Sequence, residues 1–181
     1  MTEAQLLCQV EDLDGARAAF ERAVRKGLLE LPRGFAWTST ITWAADVCAA
    51  LGDRPRAARL HDVLAPFAGV IVGESGPVDR AVGRLALTLG DRAGAERHLR
   101  NAVALCERMD ARAYLAVARL ELGELLLPSD EGHRLVAQAR TAAGELGMPG
   151  TARSRTPRER GRTRGFRPRR GRLRPASTVA A

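Results

Sequence analysis

Residues Gly69–Pro77 read G-V-I-V-G-E-S-G-P, three glycines around an apolar run, an acid and a serine. A phosphate cradle needs G-x-x-x-x-G-K-[ST], with a lysine reaching the phosphates. Here the residue five past Gly69 is Glu74, and no lysine is near. A nucleophile elbow needs G-x-S-x-G. Around Ser75 the second glycine, Gly76, comes one place early and Pro77 fills its slot. Both motifs fail where the chemistry resides. The stretch is expected to be a connector, its glycines supplying unusual backbone angles and Pro77 opening a helix.

Other reactive side chains are sparse. His61, His98 and His133 are scattered, and none has a second histidine or cysteine three or four residues away, the spacing a metal site on a helix uses. Cys8, Cys48 and Cys106 are an odd, dispersed set, which is no disulfide framework. Cys48 and Cys106 fall on apolar helical faces, where a thiol acts as a small hydrophobe. The sequence therefore predicts no catalytic residue, no metal, no cofactor and no enzyme. Acids appear at once (Glu3, Glu11, Asp12), unlike a signal peptide, and no apolar run reaches the roughly 20 residues needed to span a bilayer. A soluble cytoplasmic protein is expected.

The elements behind these residues show in the composition. Of 181 residues, 45% are apolar but only 4% aromatic, so alanine and leucine carry the core and helices are favoured over sheets. The chain repeats itself. E-D-L-D-G-A-R-A-A-F-E-R-A from Glu11, G-D-R-P-R-A-A-R-L-H-D-V-L from Gly52 and G-D-R-A-G-A-E-R-H-L-R-N-A from Gly90 share a pattern, with a weaker S-D-E-G-H-R-L-V-A-Q-A-R-T from Ser129. After the aspartates Asp12, Asp53 and Asp91 come Ala16, Ala57 and Ala95, then Phe20, His61 and Leu99, then Ala23, Leu64 and Ala102. Steps of four and three keep each set on one helical face. Aligned on Asp130, the fourth copy offers only Arg134, Gln138 and Thr141.

An apolar helical segment precedes each later aspartate: 36–51, 78–89 and 111–127. Each unit is then helix, tight turn, helix, with the aspartate accepting from the free N–H groups of the second helix. Ala45 and Gly83 would face Ala57 and Ala95 across the turn, since small residues let helices approach closely. Trp37 and Trp43 are expected to pack between units. If the stack has a recognition groove, first helices line it, and the candidates for partner binding are Thr42 and Asp46 in one unit and Arg80 and Arg84 in the next. Arg80 and Arg84 share a face and would clamp an acidic peptide, or form an ordinary solvated face.

The small residue of the first helix and A-x3-F-x2-A in the second (best in A-R-A-A-F-E-R-A, 16–23) resemble tetratricopeptide repeats, although the first-helix tryptophan is missing and the period is longer. More specifically, the order L-D-G-A-R-A-A-F-E-R-A, W-x5-W-A-A-D-V-C-A-A-L-G-D, A-A-R-L-H-D-V-L-A-P-F-A-G, A-E-R-H-L-R-N-A-V-A-L-C-E-R-M and A-R-L-E-L-G-E-L-L-L, over roughly 4–148, is similar to the C-terminal helical-repeat region of actinobacterial ATP-binding LuxR-type transcriptional regulators and adenylate-cyclase-domain signalling ATPases. The resemblance implies an all-α, right-handed stack of antiparallel helix pairs, about three and a half to four repeats. It also implies a fragment of a sensor region, with a nucleotide-binding module on another chain as associate.

Residues 1–148 hold 18 basic and 20 acidic side chains, whereas 149–181 hold eleven arginines and one acid, Glu159. That segment cannot bury a core and is expected to be a disordered basic tail beyond a repeat domain at 1–148. Two readings of it stand: an arm that binds nucleic acid through Arg153, Arg155, Arg158, Arg160, Arg162, Arg164, Arg167, Arg169, Arg170, Arg172 and Arg174, or the product of a shifted reading frame in GC-rich DNA. The first reading of the whole chain is a non-enzymatic scaffold for a protein or peptide; the alternative is nucleic-acid binding through the tail.

Overall fold

The computed structural model describes residues 3, 4, 8, 12–34 and 36–152. These residues are overwhelmingly helical. Helix α1 is Leu13–Arg25, α2 Trp37–Leu51, α3 Arg54–Leu64, α4 Val78–Leu89, α5 Arg92–Arg108, α6 Arg112–Leu126 and α7 Asp130–Glu145, with a final turn α8 at Pro149–Ala152. Each helix packs on the next in sequence, and α2 also packs on α4. This is the arrangement of a helical-repeat stack. Pro149–Ala152, read from sequence as the start of the tail, is instead helical and packed on α7 and α6.

Caps set the helix pairs. Asp12, Asp53 and Asp91 accept from Gly15 N, Arg56 N and Gly94 N, as the sequence predicts. Gly52 and Gly90 end α2 and α4 in the left-handed region (φ 66° and 92°), which an L side chain enters only at a cost. The fourth pair corrects the sequence reading. Ser129, not Asp130, caps α7, accepting from Gly132 N. The buried face of α7 is therefore Gly132, Val136, Ala139 and Ala143, while Arg134, Gln138 and Thr141 are exposed. The buried set follows Ala95, Leu99, Ala102 and Cys106 of α5 at a constant offset of 37 residues.

Small residues close the seams. A Cβ built on Gly83 would lie 3.1 Å from Leu99 Cγ and 3.2 Å from Ala95 O, so α4 meets α5 where expected. Ala45 and Ala57 are both fully buried. Gly83→Leu should overpack this seam and cost about 1–3 kcal/mol; a melting temperature equal to the parent's would refute the register.

Arginines then clip one pair to the next. Near the start of a second helix, each reaches the last carbonyls of the following pair's first helix. Arg17 donates to Leu51 O at 3.2 Å, Arg54 to Thr88 O at 3.1 Å and Leu89 O at 2.6 Å, and Arg92 to Leu125 O. Those carbonyls lack partners inside their own helix and carry the negative end of its dipole, so a cation is well placed there. The clips explain part of the body's arginine content.

The connector 65–77 is less simple than a loop. After a 3₁₀ turn at Ala65–Phe67, β1 (Ile71–Val72) pairs antiparallel with β2 (Gly76–Pro77) around a second 3₁₀ turn at Gly73–Ser75. The Tyr114 hydroxyl donates to Gly73 O, and its ring lies where a Gly76 side chain would be (2.8 Å). Gly76 has φ 76° as well, so both space and backbone require glycine.

Candidate functional site

The four predicted partner residues sit on the first helices α2 and α4, and three of them meet. Arg80 is buried, 8% exposed. It bonds Asp46 Oδ2 at 2.5 Å and Glu121 Oε1 at 2.9 Å, while Arg84 bonds Asp46 Oδ1 at 2.8 Å. Asp46, Arg80, Arg84 and Glu121 thus form a ladder across α2, α4 and α6. The acids that meet Arg80 and Arg84 are the chain's own, so the acidic clamp is filled from within. Burial opposes the charge on Arg80, but the two carboxylates outweigh it and raise its pKa further. Thr42 has no exposed surface and donates its hydroxyl to Thr38 O at 2.7 Å, which removes it from any outer face. Glu121 was not predicted. It lies 41 residues after Arg80, close to the repeat period, and that spacing was the available signal.

A second cluster joins the connector to two second helices. Asp79, 1% exposed in the first turn of α4, accepts from Gly69 N at 2.5 Å and lies 2.9 Å from His98 Nδ1 and 3.5 Å from Asn101 Nδ2. The His61 and His98 rings approach edge to face, centroids 6.4 Å apart. Asp79 therefore orients His98 and pins the connector at Gly69, the first glycine of G-V-I-V-G-E-S-G-P. His133 stands apart, its Nδ1 2.9 Å from Ser129 O. No group of three metal-ligating side chains occurs among the described residues.

Trp37 is buried against Phe67 of the connector (5.5 Å), with Arg33 over its ring. Trp43 is half-buried. Cys48 and Cys106 are fully buried free thiols. Burial, reinforced by Asp53 and opposed by Arg56, pushes the Cys48 thiol up to about 12, and the thiol donates to Asp53 O at 3.2 Å. Burial also raises Cys8 and Cys106.

Between the ordinary value of the Cys48 thiol near 9.0 and about 12, the unfolded chain releases a proton that the folded chain keeps. That stabilisation is present below pH 9.0 and lost as pH rises through about 12. Urea unfolding of the parent should weaken over this window, and Cys48→Ala should weaken less; parallel curves would contradict the assignment.

The eleven tail arginines, Arg153 to Arg174, lie outside the described residues. Among the described residues no helix is long and apolar enough to cross a membrane. No family model matches the sequence, and no curated protein matches it.

Proposed function

We propose that this chain is a non-enzymatic helical-repeat scaffold that binds a protein or peptide along its first helices. The observation that supports this is the lateral order of α2, α4 and α6, tied into one surface by Asp46, Arg80, Arg84 and Glu121. Such a surface is rigid before a partner arrives, which lowers the ordering cost of binding. Leu87 follows Arg80 and Arg84 at steps of four and three and is 47% exposed, an apolar contact beside the ladder. The test is photo-crosslinking from Leu87 on α4 and from the exposed Arg59 on α3. One protein captured from Leu87 alone, and binding the purified chain, is the expected result. Equal capture from both positions, or none, would sink the reading.

The finer reading is that these repeats serve as the sensor region of a larger ATP-dependent transcriptional regulator or cyclase-type signalling protein, with the nucleotide-binding module on another chain. Its support is the resemblance in residue order over roughly 4–148. Co-purification with a protein that binds ATP is expected; co-purification only with proteins lacking such a module would count against it.

A second reading rests on composition: eleven arginines against one acid in 149–181 suit a polyanion. Single-stranded RNA binding should then fall by orders of magnitude between about 50 and 200 mM salt, and vanish when 153–181 are deleted. Binding that survives the deletion would refute it.

A further inference from the structure

Alanine leaves a space at one end of the stack. Between α1, α2 and the segment carrying Glu3 and Ala4 lies a cleft of about 240 Å³, lined among the described residues largely by Ala4, Ala19, Phe20, Ala23, Ala44 and Val47. All of these but Ala23 are buried. A dry apolar cavity of about 150 Å³ is enough to hold a benzene ring. The space here exceeds that, and Arg22, Lys26 and Glu3 are among its lining residues.

Those cations differ. Arg22 is engaged by Glu3 at 2.9 Å. Lys26, at the C-terminal cap of α1, lines the cleft and makes no ion pair or side-chain hydrogen bond among the described residues. A lysine lining an apolar cleft with no carboxylate of its own favours a ligand that ends in an anion. Glu3 and Thr40 are the other polar lining residues; the Glu3 carboxylate is held by Arg22, and the Thr40 hydroxyl already donates to Ala36 O at 2.8 Å.

We propose that this cleft binds a small organic carboxylate, its apolar ring or chain between α1 and α2 and its carboxylate on Lys26. The site goes beyond the scaffold reading and is distant in sequence from the Leu87 position that tests it, so either can fail alone.

The probes are phenylacetate and its neutral amide, followed by methyl NMR of the full chain. Phenylacetate should shift the methyls of Ala19, Ala44 and Val47. Phenylacetamide should shift the same methyls with about tenfold weaker affinity, the yield of one charge-assisted contact. Lys26→Gln should remove that difference. Ala44→Leu fills the cleft and should abolish both effects while leaving the distant Leu99 and Val136 methyls in place. Ala23→Leu, at a half-buried position, does the same with less risk to folding. No shift with millimolar phenylacetate, shifts that persist in the filled variants, or a preference indifferent to Lys26→Gln would each overturn the proposal.

Discussion

Arg80→Met is expected to destabilise the protein by about 3–5 kcal/mol, the cost of breaking a buried ion pair from one side. The guanidinium is nearly inaccessible and holds Asp46 and Glu121 from its two ends. Without it, Glu121 keeps, among the described residues, only Arg84 Nε at 3.8 Å, and its Oε2 already has no hydrogen-bond partner there. Asp46 retains Arg84 Nη1 at 2.8 Å. A carboxylate stripped of its partner in a buried setting is the expensive product, more than the lost attraction itself. The triple variant Asp46→Leu, Arg80→Met, Glu121→Leu separates the two. It removes the stranded acids too, and Arg84, being partly exposed, can turn to water. Its stability should lie much nearer the parent's than that of Arg80→Met. Urea unfolding midpoints at one pH decide it. A single variant within about 1 kcal/mol of the parent, as for an exposed pair, would show that the ladder is ornamental.

The ladder also marks the limit of what could be read from residues in order. Capping residues and alanine spacing announced the helix pairs, because both act within one turn of helix. Asp12, Asp53 and Asp91 accept where expected. An acid is the wrong anchor for the fourth pair, whose cap is Ser129. The physical anchor is the close helix contact, and on that basis Gly132 takes the place of Ala95. Arg80 and Arg84 were legible as one face, but not as a filled site. Their partners come from 34 to 41 residues away on two other helices, and only stacking brings them together. His98 and Asp79 stand only 19 residues apart on the two helices of one pair. It is the Gly69 contact to Asp79 that depends on the path of the connector, and the two-residue ladder in that connector is too short for any periodicity to reveal.

The second large effect is expected at that fourth seam. Gly132→Ala should cost about 3 kcal/mol, the upper end of overpacking. A Cβ there would sit 2.9 Å from Gly123 O, Leu126 C and Leu127 N. All three obstacles are backbone, so no side chain can rotate away. Relief requires α6 and α7 to separate, and that loosens Val136, whose side chain and N–H lie 2.9 Å from where a Gly123 side chain would begin. Gly144→Ala, in the same helix, is the control, because nothing lies within 4 Å of its added methyl. Helix propensity alone should make that variant neutral or more stable by about 0.5–1 kcal/mol. The two substitutions are chemically identical, so the difference between them isolates contact from propensity. If both shifted the urea midpoint alike, the α6–α7 seam would not be the close contact described, and the shared register of α5 and α7 would lose its physical basis.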